Sequence, residues 1–166
     1  MTTPLGMGFG HTRFSSPAQK FRLVYIARDL ATAIAETIVR DRFEGASKRV
    51  LDDSEIEEWA VAELTATDPL LVIDLRTTGL LRLGVSTDAA RGKAHTEGRL
   101  FSQALYDAFA VDGILYSSRL TASECLAVYD RAVSAKLVSS SALNLVRQSN
   151  LVSALQSIDI RVRRGR

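Results

Sequence analysis

Apolar positions along the chain change period several times, and each change marks an element. Over 21–27, Phe21, Leu23 and Tyr25 alternate with Arg22, Val24 and Ile26 in a run of β-forming residues, which predicts a short strand. After Asp29, a residue suited to capping, Leu30, Ala33, Ile34, Ile38 and Val39 recur at helical spacing and place Glu36 on a first helix. A second helix is expected over 54–63, where Ser54 and Glu57 have capping-box spacing and the acidic first turn suits the helix dipole; its carboxylates read as solubilising. Residues 64–75, with Leu70, Leu71, Val72 and Ile73, predict one or two strands, and Gly79 and Gly84 bracket a short element. Over 97–109, Leu100, Phe101, Ala104, Leu105 and Ala108 fall on one face of an amphipathic helix.

Asp112-Gly113 then reads as a turn. Ile114–Tyr116 and Cys125–Tyr129 read as strands, separated by a loop holding Ser117, Ser118 and Arg119. The pattern weakens over 138–157, where a helix is expected only at 150–156. Helices and strands mix without regular βαβ alternation, so the expected class is α+β, and no repeat or long linker divides residues 1–166 into more than one domain. The opening stretch, Gly6 to Pro17, is rich in glycine and serine and reads as a loop carrying Arg13.

With 166 residues, 46% apolar and 24% charged, the chain has the composition of a folded globular protein. Its apolar runs are far shorter than the roughly 20 residues of a membrane span, and its first ten residues lack a secretory pattern, so a cytoplasmic protein with no membrane partner is expected, with a secreted effector as the other possibility. Cys125 is the lone cysteine, which leaves no disulfide or thiolate cluster and reads as a small apolar residue. The net charge of +2 is concentrated at the carboxyl end in Arg161, Arg163, Arg164 and Arg166, read as a solvated basic tail over 158–166.

Familiar chemistries fit poorly. His11 and His95 have no further ligands at metal spacing. The glycines at 6, 8 and 10 follow no strand and lead to no phosphate-loop lysine. No Gly-x-Ser-x-Gly elbow is present, and no predicted helix has the polar, basic character of a DNA-recognition helix.

Three segments together carry a resemblance: Arg13-Phe14 in the opening loop, Leu23-Val24-Tyr25-Ile26-Ala27 followed by Ala33-Ile34-Ala35-Glu36, and Asp112 to Arg119. In order and spacing they resemble the RES family, most strongly over residues 8–132. The resemblance implies a compact fold similar to ADP-ribosyltransferase toxins and NAD+ as substrate, with no further cofactor. It implies NAD+ loss by phosphorolysis or hydrolysis, with inorganic phosphate or water as acceptor, or transfer of ADP-ribose to a macromolecule. A degenerate domain that only binds a partner is the non-catalytic alternative. An Xre-type antitoxin is the implied partner, with nucleic acid reached only through it, and homo-oligomerisation is left open.

The residues suit those roles physically. Breaking the nicotinamide–ribose bond builds positive charge on the sugar, which the Glu36 carboxylate would stabilise. Arg13 would grip the pyrophosphate or an attacking phosphate, and Tyr25 would hold the cationic nicotinamide by stacking. Ser118 would donate to a phosphate or ribose oxygen, with Arg119 adding charge. Gln103 and His95 are further pocket candidates. Ser15 and Ser117 replace an asparagine and a proline common in the family, and only twelve residues precede Arg13 where many members carry a further arginine upstream, so the expectation is that either Arg28 or Arg40 compensates or activity is altered.

Overall fold

The computed structural model describes residues 4–163, so Arg164 and Arg166 of the expected tail lie outside the described residues. The α+β class holds. A four-stranded mixed sheet has the order β1-β7-β6-β5, built from β1 (Leu23–Ala27), β5 (Val72–Asp74), β6 (Gly113–Ser117) and β7 (Glu124–Tyr129). The β1–β7 and β7–β6 pairs are antiparallel, whereas β6 and β5 run parallel.

Period-2 alternation sorts the side chains of this sheet. Leu23, Ala27, Cys125, Ala127 and Tyr129 join one cluster with Phe14, Phe21, Leu80, Leu105 and Tyr116, while Val24, Ile26, Leu126 and Val128 join another with Ala132, Val133 and Leu137. Tyr25 therefore stands on the face of Leu23 and Ala27, half-exposed at the edge strand. Gly113 is required by the sheet itself, because a Cβ there would meet the Ala127 carbonyl oxygen at 2.3 Å.

Asp29 caps the first helix as expected, its carboxylate accepting from the Thr32 amide at 2.7 Å. That helix, α1 (Leu30–Ile34), continues as a π-helical turn over Ala35–Val39, closed by a bond from the Arg40 amide to the Ala35 carbonyl at 2.7 Å. Arg40 then leaves with φ 40°, a left-handed value for a bulky residue, and breaks the helix. A third cluster packs Ile34 and Val39 against Leu51, Ile56, Leu151 and Leu155.

Several local expectations are corrected. The second helix is α2 (Asp53–Glu57), and its capping box is made by Asp52 and Glu55, two residues earlier than Ser54 and Glu57. Its end is set by the two-residue β3 (Ala60–Val61), which pairs with β9 (Leu143–Asn144), so the helix cannot run to 63. Residues 64–75 do give two strands, β4 (Leu64–Ala66) and β5, with β4 paired to β8 (Leu137–Ser139). Short helices α3 (Gly79–Arg82) and α4 (Asp88–Arg91) follow.

The long helix α5 (Thr96–Ala108) is rotated from its expected face. It buries Gly98, Ser102 and Leu105, while Leu100 is 55% exposed and Ala104 and Ala108 face solvent. Gly98 explains the rotation: a Cβ there would meet the Ala89 and Arg13 carbonyl oxygens at 2.5 and 2.6 Å, so this small residue faces inward against the Arg13 loop. The Ser102 hydroxyl bonds to the buried Tyr129 hydroxyl at 3.0 Å.

Asp112 is no turn residue. It is buried at the entry to β6, where its carboxylate accepts from the Leu71 amide and from Lys136, both at 2.7 Å. Helix α6 (Asp130–Lys136) was not expected; a 3-10 turn (Leu145–Arg147) and α7 (Leu151–Ser157) occupy the weakly patterned end. The basic tail is not simply solvated, since β10 (Arg161–Arg163) runs parallel to β2 (Val50–Asp52) and Arg163 bonds Asp52 at 2.7 and 3.0 Å. Among the described residues no helix is long and apolar enough to cross a membrane.

Candidate functional site

A cleft of about 370 Å³ opens where four sequence-distant pieces meet: the loop of His11, Thr12 and Arg13, the edge strand at Tyr25, the π-helical turn at Glu36 and Arg40, and the β6–β7 loop with Arg119. Such a volume suits a small organic ligand or part of a larger one. Tyr116 of β6 lies at its base, with its hydroxyl pushed upward in pKa by burial.

Tyr25 is fixed at its polar end. Its hydroxyl accepts from the Phe14 amide at 3.0 Å and shares a 2.8 Å bond with the Thr12 hydroxyl, and burial raises its pKa despite those bonds. The ring thus ties the opening loop to β1 while remaining 38% exposed as a residue, so an aromatic face is open to the cleft side of the sheet. Arg13 leaves the same loop and donates to the Gly92 carbonyl. Partial burial and the nearby Arg119 depress its pKa, while Tyr116 and Glu36 act the other way. Arginine stays charged under such a shift, so Arg13 and Arg119 both bring positive charge to the cleft.

Glu36 faces the cleft from the π-helical turn, and its Oε1 accepts a 2.6 Å bond from the Ser118 hydroxyl. Ser118 is buried, and its oxygen also accepts from the Leu120 and Thr121 amides at 3.0 and 3.2 Å. With two donors entering its oxygen and its own proton directed at Glu36, Ser118 has no proton left for a ligand. In this arrangement the Ser118 hydroxyl is directed at Glu36, and Ser118 itself does not line the cleft. Arg40 supports the same turn, its Nε donating to the Glu36 carbonyl at 2.7 Å, and Arg119 lies 3.6 Å from Asp41.

The structure brings Arg13, Tyr25, Glu36, Arg119 and His95 around one cleft, with Ser118 directly behind Glu36. It leaves two candidates elsewhere. Arg28 is exposed and paired with Glu124, which also pairs with Arg76. Gln103 sits on α5, where its amide oxygen accepts from Ser16 and its nitrogen donates to Asp107 at 3.1 Å. Of Arg28 and Arg40, Arg40 lines the cleft and Arg28 does not.

Thr12, Asp41 and Tyr116 line the cleft without having been singled out. Tyr116 could have been found from its place two residues before Ser118 on an alternating strand, whereas Asp41 follows the irregular exit of the helix and carries no local signal. His95 bonds through Nδ1 to the His11 carbonyl at 2.9 Å, so it braces the rim of the opening loop.

Comparison with known proteins follows this geometry. The model of the RES domain matches residues 1–148. A protein of Sinorhizobium fredii named "Probable toxin y4kH" is 41% identical over 81 residues, a stretch covering 48% of this chain and 64% of that relative. The chain thus matches somewhat less than two thirds of that relative's length. No solved structure matches.

Proposed function

The chain belongs to the RES domain family, and from that premise we propose that it is a toxin enzyme that cleaves the nicotinamide–ribose bond of NAD+. The observation that carries this reading is the Ser118–Glu36 hydrogen bond at 2.6 Å, which presents a fixed carboxylate to a cleft walled by Arg13 and Tyr25. The likeness to a toxin-named relative supports the biological setting.

In the reaction, the C1′–N bond breaks with its electron pair leaving on the nicotinamide nitrogen, which becomes neutral. The ribose gathers positive charge, and a carboxylate beside it lowers the barrier because the attraction is greater in the transition state than in the ground state. An oxygen of phosphate or water then forms the new bond at C1′; with water, the surplus proton passes to solvent. Arg13 and Arg119 would neutralise the pyrophosphate or the attacking phosphate, and the Tyr25 ring would stack on the cationic nicotinamide. No resident cofactor takes part in this scheme. An antitoxin of the Xre type is the proposed partner, and it would silence the enzyme by covering the same cleft.

The test is NAD+ concentration against time with purified protein, with and without inorganic phosphate, resolving the products chromatographically. ADP-ribose identifies water as acceptor, and ADP-ribose-1″-phosphate identifies phosphate. NAD+ that stays intact with either acceptor overturns the reading.

A further inference from the structure

On the other side of the Glu36 turn lies a larger cavity, of about 660 Å³, bounded by α1 and its π-helical extension, the loop at Thr121, the end of α7 and Arg49. Arg40 and Leu120 line both this cavity and the Glu36 cleft, so the two are adjoining compartments. Across them, three side-chain hydrogen bonds join the helix to the β6–β7 loop in regular order. Asp29 accepts from the Ser123 hydroxyl at 2.7 Å, Thr32 shares a 2.9 Å bond with Thr121, and Glu36 accepts from Ser118 at 2.6 Å. On the helix side the three positions are three and four residues apart, which puts them on one face. On the loop side the order is reversed, so the bonds stand like rungs, and only the last has a residue in the cleft.

The rungs are also tied to one another along the loop. The Thr121 amide donates to Ser118 Oγ at 3.2 Å, and the Ser123 amide donates to Thr121 Oγ1 at 3.3 Å, so the hydroxyl ending each rung is held by the backbone of the next. The loop is closed by the Ser118 amide on the Ser123 carbonyl at 2.8 Å, and Ala122, between the rungs, has φ 59°, a left-handed value that a Cβ disfavours. On the helix side Thr32 is buried, at 1% exposure. A threonine within a helix commonly bonds the carbonyl four residues back, as Thr37 does to Ala33 at 2.6 Å. Thr32 turns its hydroxyl to the loop instead.

We propose that Thr32 and Thr121 are positioning residues for Glu36, the middle rung holding the Ser118 hydroxyl at bonding distance from the carboxylate. Neither residue lines the cleft. Glu36 stands on the π-helical turn, whereas Thr32 stands on the ordinary α-helical turn before it, so the middle rung anchors the helix to the loop just ahead of the change in winding. Thr121 then passes that anchor to Ser118 through its own amide. The effect on turnover rests on the NAD+ reading above; the link from Thr32 to the Ser118 loop does not.

The experiment compares Thr32→Val, which deletes the hydroxyl, with Thr32→Ser, which keeps it, and combines Thr32→Val with Ser118→Ala, each variant of the full chain checked by thermal melting. Steady-state NAD+ consumption and backbone amide exchange by NMR are measured on all of them. Thr32→Val should lower kcat by about tenfold with little change in KM, and Thr32→Ser should restore most of it. The double variant should fall no further than the roughly 30-fold of Ser118→Ala alone, because both changes undo one arrangement; independent effects would multiply to about 300-fold. In Thr32→Val the Leu120 and Thr121 amides, which donate to Ser118 Oγ, should exchange about tenfold faster, while those of β6 and β7 keep their protection. Unchanged kcat, no recovery in Thr32→Ser, a rise in KM in place of the loss in kcat, or multiplying effects in the double variant would each overturn the proposal. Should Thr32→Val not fold, Thr121→Val removes the same rung from the loop side and is read in the same way. A parent protein that leaves NAD+ intact sinks the earlier reading, and amide exchange then decides this one: unchanged Leu120 and Thr121 amides overturn it, and faster exchange upholds it.

Discussion

The two compartments that meet at Arg40 differ in how their polar groups are occupied. In the Glu36 cleft, hydrogen bonds within the protein already hold the working groups: Ser118 fixes Glu36, Thr12 and the Phe14 amide fix Tyr25, and the Gly92 carbonyl takes a donor of Arg13. In the neighbouring cavity Thr32 and Thr121 bond each other and Ser123 donates to Asp29, while Arg49 Nε is buried with no partner among the described residues. Groups that stabilise developing charge act best when they need no rearrangement at the moment of reaction, whereas groups that only bind can wait for the ligand to satisfy them. The cleft is preorganised in that sense, and the neighbouring cavity shows no such set of converging groups.

That contrast can be broken at its strongest point first. Glu36→Gln should lower the rate of NAD+ loss by about 10³-fold, on the order of 4 kcal/mol, with an unchanged melting curve; a folded variant of full activity removes the reaction site from this cleft. Ser118→Ala deletes the bond that holds Glu36 and should cost about 2 kcal/mol, roughly 30-fold in kcat. Because Ser118 acts through Glu36, KM should change little, which steady-state kinetics on the variant resolves.

Smaller effects sharpen the comparison through stability. Tyr25→Phe leaves the Phe14 amide without its acceptor and should lower Tm by about 2–4 °C for each ~1 kcal/mol lost, measured by calorimetry. On the cavity side, Asp29→Ala removes the cap of the helix that carries Glu36 and should cost about 1 kcal/mol. Burial alone would raise the Asp29 pKa, but hydrogen bonds from the Ser123 hydroxyl and the Thr32 amide outweigh it and hold it below the usual carboxylate range. A depressed folded-state pKa contributes stability above the unfolded value and loses it as pH falls through the folded one. The Tm gap between Asp29→Ala and the parent should therefore be full at neutral pH and narrow in acid.

The sheet strands and the Asp29-capped helix were legible because strong alternation or helical spacing coincided with a capping residue. The helix α5 was legible in position but not in orientation, since the need for Gly98 against the Arg13 backbone outranked the more hydrophobic stripe at Leu100 and Ala104. Asp112 resembled a turn residue because sequence cannot show that Lys136 and the Leu71 amide wait for its carboxylate. The places of Arg13, Tyr25 and Glu36 at the cleft, with Ser118 behind, were legible through family resemblance, whereas the Ser118–Glu36 bond was not. The cavity at Arg49 carried no sequence signal, because it is assembled from α1, the Thr121 loop and α7.

The π-helical turn at 35–39 has one more consequence. A π turn amounts to one surplus residue in an α-helix, so deleting a single amino acid within it would return the segment to ordinary winding. Because the surplus residue is absorbed within that one turn, the residues beyond it would keep their place and the change would fall on the turn itself, where the Arg40 amide bonds the Ala35 carbonyl. One lost codon at Thr37 or Ile38, with every side chain named in the chemistry still encoded, would reshape the turn that carries Glu36 and little else.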